Sequence, residues 1–141
     1  MYTYTYPRAA LTVDAIVFVK KQNSVSVLLI ERGREPFKNK WALPGGFIDM
    51  DETLEASCIR ELKEETGLEL DAMKQFRAYD AINRDPRHRT ISVVFAAQLS
   101  KEQAVVGSDD AAQARWFSIN ELPELAFDHA QILADYFAAE F

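Results

Sequence analysis

The sequence predicts an α/β fold in which helices pack against a mixed β-sheet. Two long runs of apolar, largely β-branched residues, 10–19 and 90–99, are typical of buried strands. Residues 53–66 and 127–141 instead carry apolar side chains at the three- and four-residue spacing of a helix. Because a chain of 141 residues suits one core, we expect a single domain over residues 1–141.

The first third of the chain predicts a hairpin followed by an interrupted strand. The predicted elements are a strand at 10–19, a turn at 21–24, a strand at 25–32, a polar loop at 33–40 and a strand-like segment at 41–48. Pro44 and the two glycines after it interrupt the last segment, so we expect a tight turn there.

The helix at 53–66 has signals at both ends. Asp51 or Thr53 can cap its N-terminus, and Gly67 suits a left-handed cap at its C-terminus. At 100° per residue, one arc of this helix holds the predicted core residues Leu54, Cys58, Ile59 and Leu62. The adjacent arc holds Glu61, Glu64 and Glu65, which therefore converge at the margin between core and solvent.

The second half of the chain continues the alternation of strands and helices. Its predicted elements are a strand at 73–82, a charged loop at 83–89, a strand at 90–99, a polar loop at 100–110, a short strand at 114–119 and a C-terminal helix at 127–141.

Composition and charge exclude several classes of function. The formal net charge is −6 and the chain has no run of Lys or Arg, which argues against general nucleic-acid binding. No apolar stretch approaches the roughly 18 residues of a membrane span, so we expect no membrane contact. The only cysteine, Cys58, cannot form an internal disulfide, and residues 1–20 lack the pattern of a signal peptide, so we expect a cytoplasmic protein.

The three clustered glutamates favour a cation site. Like charges three and four positions apart destabilise a helix by a few tenths of a kcal/mol per pair, and a bound divalent cation would offset that repulsion. Mg²⁺ prefers carboxylate oxygens, waters and substrate phosphates, and the preceding glycine turn can bring backbone groups close to a ligand. The alternative is a solvated acidic face supported by an Arg60–Glu64 pair.

The segment GFIDMDETLEASCIRELKEETGL, residues 46–68, resembles the Nudix box, and it fills every specified position of that motif. The matching residues are Gly46, Glu52, Arg60, Glu61, Leu62, Glu64, Glu65, Gly67 and Leu68. The flanking segments YPRAALTVDAIVF, PFKNKWALPGGF, NRDPRHRTISVVF and ARWFSINELPELAFDHAQIL are similar to the Nudix hydrolases known as bacterial ADP-ribose pyrophosphatases. Related sequences form the ligand-binding half of some regulators of NAD metabolism.

The resemblance implies an α/β/α sandwich and hydrolysis of a nucleoside diphosphate derivative with Mg²⁺ or Mn²⁺. It implies that Glu61, Glu64 and Glu65 hold the metal, with the Gly46 carbonyl as a further ligand. By the same analogy Arg60 orients a neighbouring glutamate, and Glu52 supports the loop or an outer metal site.

The resemblance leaves the identity of the general base open. The base is Glu61 or Glu64 within the box, or an acid of the later loop, where Asp109 or Asp110 could supply a base or a ligand. Relatives often carry Glu where this chain has Gln113, and an amide cannot act as a base.

Three arginines are predicted to bind the substrate. Arg32 ends a strand where a related enzyme group places a phosphate-contacting arginine, and Arg84 and Arg87 form a compact cationic turn that could clamp a phosphate. The alternatives are a surface cation for Arg32 and a hairpin turn shaped by Asp85 and Pro86.

Several other conspicuous side chains favour structural roles. We expect Trp41 to support the glycine turn from the core and Cys58 to be an inert packing residue. His88 and His129 are expected to form ordinary hydrogen bonds, since no second His or Cys lies at metal-ligand spacing.

The leading functional prediction is hydrolysis of ADP-ribose to AMP and ribose 5-phosphate. One alternative keeps the chemistry but changes the substrate to a nucleoside triphosphate or a dinucleotide such as NADH. Another is a non-catalytic sensor of ADP-ribose, which is disfavoured because the box is intact and no helix-turn-helix follows Phe141. A homodimer is also expected, through the aromatic N-terminal segment YTYTY.

Overall fold

A computed structural model describes residues 1–140 and confirms the α/β class. In chain order its elements are β1 (Ala10–Lys21), β2 (Ser24–Arg32), β3 (Trp41–Ala42), β4 (Gly45–Phe47), α1 (Leu54–Thr66), β5 (Lys74–Tyr79), β6 (Thr90–Leu99), β7 (Ala111–Ser118) and α2 (His129–Glu140).

The strands form one mixed sheet, as predicted. Its central order is β3-β2-β1-β6-β5, with β4 paired to β1 and β7 paired to β2. β1 and β6 are parallel over ten residue pairs, whereas the other pairings are antiparallel. Lys21 pairs with Ser24, so the predicted first hairpin closes through a two-residue loop.

The sheet is covered on both faces because its central strands are apolar on both faces. Successive residues of β1, such as Ile16 and Val17, point to opposite faces of the sheet and enter different hydrophobic clusters. The Ile16 cluster includes Ile132 from α2, and the Val17 cluster includes Leu62 from α1. One helix therefore packs against each face, which gives the predicted α/β/α sandwich.

The ends of α1 follow the capping signals in the sequence. The Thr53 side chain accepts a hydrogen bond from the Ala56 N–H, and Gly67 ends the helix with a φ of 77°. The predicted core arc is also confirmed, because Cys58 and Leu62 are fully buried and the half-buried Leu54 and Ile59 pack against the same cluster. Burial raises the pKa of the Cys58 thiol, which fits an inert packing residue.

Several element boundaries differ from the sequence predictions. β1 extends to Lys21 and β2 begins at Ser24, so the turn predicted at 21–24 is shorter than expected. β5 ends at Tyr79 instead of residue 82, because the chain turns there and Arg89 donates a hydrogen bond of 2.7 Å to the Asp80 carbonyl. β7 begins at Ala111, three residues earlier than predicted, because Ala111 still pairs with Arg32. α2 begins at His129 instead of residue 127, and the predicted residue 141 lies outside the described range.

The interrupted segment 41–48 forms two short strands that fill the space between β1 and β2. The Ala15 N–H donates to the Pro44 carbonyl at 2.8 Å, which fixes the interruption against the sheet centre. Trp41 is buried, as predicted, and its carbonyl accepts a hydrogen bond of 2.8 Å from Ala126. The glycine turn, which we define as residues 43–46, is therefore held from both sides.

His129 connects the start of α2 to this glycine turn. Its Nδ1 accepts a hydrogen bond of 3.0 Å from the Leu43 N–H, and its Nε2 lies 3.6 Å from an Asp14 carboxylate oxygen. The ring is buried, and burial lowers its pKa more than Asp14 raises it. His129 is thus a neutral structural acceptor, as expected from the sequence.

The N-terminal residues before β1 are exposed. Tyr2 and Tyr4 stack with ring centroids 6.4 Å apart, and the Arg8 guanidinium lies 4.2 Å from the Tyr4 ring centroid. The homodimer through this segment stays a prediction. No helix within residues 1–140 is both long enough and apolar enough to cross a lipid bilayer.

We expect Gly67→Ala to lower the free energy of unfolding by about 1 kcal/mol, because a β-carbon disfavours the left-handed conformation. No atom lies within 4 Å of where this carbon would stand, so the cost is conformational. Urea unfolding measures it. Gly67→Asn is the matched control and should lose less, since Asn tolerates this conformation. Equal losses would contradict this account of the cap.

We expect the stability that His129 confers to decline as the pH falls below about 6.5. The unfolded chain then binds a proton that the buried ring resists, so the free energy of unfolding falls by at most about 1.4 kcal/mol per pH unit. The measurement is the difference in unfolding free energy between the wild type and His129→Asn from pH 7.5 to 5. His88→Asn removes the other, exposed imidazole as a control; a difference independent of pH for His129→Asn would refute the prediction.

Candidate active site

The principal cavity lies beside the glycine turn and has a volume of about 400 Å³. Seven of the residues predicted for the site line it: Arg32, Gly46, Glu61, Glu65, Arg84, Arg87 and Asp109. The remaining three, Glu52, Arg60 and Glu64, adjoin it through a shared ion-pair network. The structure therefore brings together residues from α1, the end of β2 and two distant loops.

Glu65 attaches helix α1 to the glycine turn. Its side chain is buried, and its Oε1 accepts a hydrogen bond of 2.8 Å from the Gly45 N–H. Burial raises the pKa of Glu65 to about 8, against the opposing effect of that hydrogen bond. An acidic side chain is thus held in a place where its charge is costly without a cation.

Gly46 allows the backbone of the turn to approach Glu61. A β-carbon at position 46 would lie only 2.6 Å from the Glu61 carboxyl carbon. Any larger residue would therefore displace the carboxylate or the turn. Burial raises the pKa of Glu61, and the hydrogen bond from Arg60 opposes this increase.

Arg60 binds three of the carboxylates predicted to serve a metal. Its Nε lies 2.9 Å from both oxygens of Glu52, and its Nη1 lies 3.0 Å from Glu61 and 3.2 Å from Glu64. Its Nη2 donates to the Phe47 carbonyl at 3.4 Å. Hydrogen bonds from Arg60 are also the main reason that the pKa of Glu52 is lowered. The positive charge of Arg60 is therefore balanced by the carboxylates around it. Its hydrogen bond to Glu61 is the contact through which the predicted orienting role would act.

The acidic side of the cavity fits a hard divalent cation in the chemistry of its donors. Carboxylate and carbonyl oxygens are the ligands that Mg²⁺ and Mn²⁺ prefer, and Gly46 leaves room for the backbone where a β-carbon would intrude. Within residues 1–140, no three acidic, histidine or cysteine side chains form a preassembled metal cage. The Arg60 contacts give a physical reason for this absence, because Glu61 and Glu64 are both hydrogen-bonded to the Arg60 guanidinium.

The opposite side of the cavity is cationic. The Nε of Arg32 donates to the Pro36 carbonyl at 2.7 Å, and its guanidinium carbon lies 5.0 Å from the Phe127 ring centroid. Burial lowers the pKa of Arg32, and the nearby positive charge of Arg87 lowers it further. Two arginines predicted to bind the substrate therefore lie close enough to repel each other.

Arg84 and Arg87 are neighbours in the loop but have different partners. Arg84 is buried and forms a two-point ion pair with Asp128, with distances of 2.9 and 2.7 Å. Arg87 is more exposed and pairs with Asp85 at 2.8 Å. The substrate-binding roles of Arg32, Arg84 and Arg87 stay predictions.

The loop before β7 brings Asp109 to the cavity. Asp109 is exposed and has a φ of 56°, and Asp110 pairs with Arg34 at 2.6 Å. Gln113 lies within β7 and donates to Glu31 at 3.1 Å. The structure therefore brings Asp109 to the cavity but not Gln113, which is not among its lining residues.

Sequence reasoning missed several residues that shape the cavity. The main ones are Asp14, Phe47, Asp85, Phe127 and His129. The Asp-Pro pair after Arg84 signalled a turn, but nothing local signalled that Phe127 would leave the predicted helix with a φ of 52°. Among residues 1–140, four non-glycine residues have a positive φ: Phe37, Asn39, Asp109 and Phe127. Asp109 and Phe127 line this cavity, and the Phe37 ring packs against Phe127 with centroids 4.8 Å apart. Such conformations commonly concentrate at functional sites.

Comparisons with known proteins identify the family. The NUDIX domain model matches residues 8–136. The chain is 44% identical over 131 residues to the ADP-ribose pyrophosphatase of Methanocaldococcus jannaschii, covering 93% of this chain and 75% of that protein. It is 33% identical over 137 residues to the ADPR responsive transcriptional repressor NtrR of Acinetobacter baylyi, covering 94% of this chain but only 55% of that protein.

Solved structures agree with this assignment. The NUDIX domain of Shewanella oneidensis NrtR, solved in complex with ADP ribose, has a TM-score of 0.89 and 31% identity, covering 96% of this chain and 91% of that one. A bifunctional NMN adenylyltransferase/ADP ribose pyrophosphatase from Francisella tularensis, solved with AMP and a Mn ion, has a TM-score of 0.85 and 32% identity, covering 96% of this chain and 43% of that one. The chain therefore belongs to the Nudix family and is a Nudix pyrophosphohydrolase.

Proposed function

We propose that the protein hydrolyses ADP-ribose to AMP and ribose 5-phosphate in a reaction that depends on Mg²⁺ or Mn²⁺. The observation that carries this proposal is 44% identity to an ADP-ribose pyrophosphatase over 93% of the chain. In the reaction, the oxygen of water bonds to one phosphorus while the bridging oxygen leaves with the other phosphate. The proton released by the water passes to a base.

The charges of the cavity support a diphosphate substrate. A volume of about 400 Å³ lies within the usual range for small-molecule sites. Arg32 and Arg87 supply positive charge on one side, whereas the other side presents the carboxyl groups of Glu61 and Glu65. A diphosphate would contact the arginines directly and the carboxylates through a cation.

Glu61, Glu64 and Glu65 would hold the cation together with the Gly46 carbonyl, and Glu52 would support this group or an outer site. When bound, the cation neutralises phosphate oxygens and lowers the pKa of a water molecule.

The chain's own residues would orient these groups. Glu65 fixes the glycine turn through the Gly45 N–H, and Arg60 fixes the direction of Glu61. The proton acceptor would be Glu61, Glu64 or Asp109. Gln113 cannot fill this role because an amide is not a base at neutral pH.

A second candidate function is a sensor that binds ADP-ribose without turning it over. The specific observation is the similarity to NtrR and to the NrtR domain solved with ADP ribose. A third possibility, within the same chemistry, is a nucleoside triphosphate or dinucleotide substrate, since the chain is also 30% identical over 112 residues to a putative 8-oxo-dGTP diphosphatase of Bacillus subtilis.

We expect ADP-ribose to give a kcat/KM at least about tenfold higher than dNTPs or NADH, a difference of about 1.4 kcal/mol in transition-state binding. The assay uses purified protein with Mg²⁺ or Mn²⁺ and identifies AMP and ribose 5-phosphate by chromatography, with EDTA as the control. A kcat/KM for ADP-ribose no higher than that for dNTPs or NADH would contradict the substrate assignment. Calorimetric binding of ADP-ribose without products would favour the sensor.

We expect Glu64→Gln and Glu65→Gln each to lower kcat by about 100-fold or more, the scale of losing a charged group that acts in the transition state. The amide keeps the shape of the side chain but loses the charge that binds a cation. Steady-state kinetics at saturating metal measure the change. Glu69→Gln is the matched control, because Glu69 is exposed and pairs with Lys63 outside the cavity. Unchanged turnover in both box variants would contradict the metal assignment.

A further inference from the structure

Asp85 holds the backbone and side chain of Arg87 at the same time. One carboxylate oxygen accepts hydrogen bonds from the Arg87 N–H at 2.9 Å and from its Nε at 3.1 Å. The other accepts from Nη2 at 2.8 Å. The Asp85 side chain is only 3% exposed, whereas that of Arg87 is 36% exposed. The buried carboxylate of Asp85 therefore fixes the guanidinium group of Arg87, which faces the cavity.

The fixed guanidinium lies close to two aromatic rings. Its central carbon is 5.3 Å from the Phe47 ring centroid and 5.7 Å from the Phe127 ring centroid, within the range of cation–π contact. Nε and Nη2 are bound by Asp85, and Nη1 has no hydrogen-bond partner among residues 1–140. One donor group of Arg87 is thus left available at the cavity.

Arg32 contacts the same Phe127 ring from a different element. Its guanidinium carbon lies 5.0 Å from the ring centroid, and of the three guanidinium nitrogens only Nε forms a hydrogen bond within residues 1–140. The two guanidinium groups repel each other but stay close because separate contacts hold each one. A phosphate between them would relieve the repulsion and use the available donors.

Arg84 provides the contrast within the same turn. Both of its hydrogen-bonded guanidinium nitrogens contact Asp128, and its side chain is only 3% exposed. This pairing ties the turn to the residue before α2 and leaves Arg84 less available to a substrate.

We propose that Asp85 is a positioning residue that holds Arg87 at the correct distance from Arg32 to bind a phosphate of the substrate. Arg84, in this account, anchors the turn to Asp128. The inference rests on the proposed function, because the phosphate belongs to the ADP-ribose that is to be cleaved. Asp85 would thus act on the substrate-binding side of the cavity without contacting the substrate.

The test is a double-mutant cycle of Asp85→Asn and Arg87→Gln, with KM and kcat for ADP-ribose measured in each variant. Asp85→Asn alone should raise KM about tenfold and change kcat by less than about threefold, because it removes ground-state contacts. In the Arg87→Gln background, Asp85→Asn should raise KM no further. A purely structural Asp85 would affect both backgrounds equally, and that result would overturn the proposal.

Two other Asp→Asn changes serve as controls. Asp135→Asn removes an acid that binds Tyr79 and Gln131 outside the cavity and should leave KM unchanged. Asp128→Asn releases Arg84, and its effect should be independent of Arg87→Gln. Coupling of Asp128 to Arg87 as strong as that of Asp85 would contradict the division of roles.

Folding and activity are measured separately so that each outcome can be interpreted. Urea unfolding identifies any variant that fails to fold; if Asp85→Asn does fail, Arg87→Lys keeps the charge but loses the two-point fork and should still raise KM. An unchanged KM in Arg87→Lys and Arg87→Gln would overturn the proposal. If the wild type does not hydrolyse ADP-ribose, the proposed function fails, and the same cycle is measured with calorimetric dissociation constants for ADP-ribose.

Discussion

The hydrogen bond between the Glu65 carboxylate and the Gly45 N–H is the contact on which the site depends. It joins a helix on one face of the sheet to a turn inserted between two central strands, and it brings Gly46 against Glu61. The same buried acid is held in a place where its negative charge is costly. The contact therefore positions the backbone, whereas the burial of Glu65 creates the local demand for positive charge.

That demand is met in different ways on the two sides of the cavity. Arg60 lies behind the box carboxylates and binds three of them, whereas Arg32 and Arg87 face the cavity from other elements. In a chain with a net charge of −6, an anionic substrate would otherwise be repelled on approach. Under the proposed function, the separation of charge within one cavity would resolve this conflict, because the acidic side would hold a cation and the basic side would bind phosphate.

The sequence could predict the features that depend on neighbouring residues. The helix from Thr53 to Gly67 follows from its caps and periodicity, and the strands follow from their apolar runs. The partner of Arg84 could not be predicted, because Arg84 and Arg87 look equivalent in the turn and Asp128 lies 44 positions from Arg84. The same holds for Phe127, whose conformation follows from a backbone pairing of its neighbour with Trp41.

This division between local and distant contacts separates the part of the site that is predicted to carry out hydrolysis from the part that is predicted to select the substrate. The box, residues 46–68, is a continuous segment, so the motif that is predicted to bind a cation can be recognised wherever it occurs. The cationic side requires Arg32, Arg87 and Phe127 to meet from three separate elements, so it can vary while the box stays intact. Similarity to an ADP-ribose pyrophosphatase, to a putative 8-oxo-dGTP diphosphatase and to an ADPR responsive repressor is compatible with this arrangement. The choice among substrates should therefore depend less on the glutamates than on the spacing of the two arginines around Phe127.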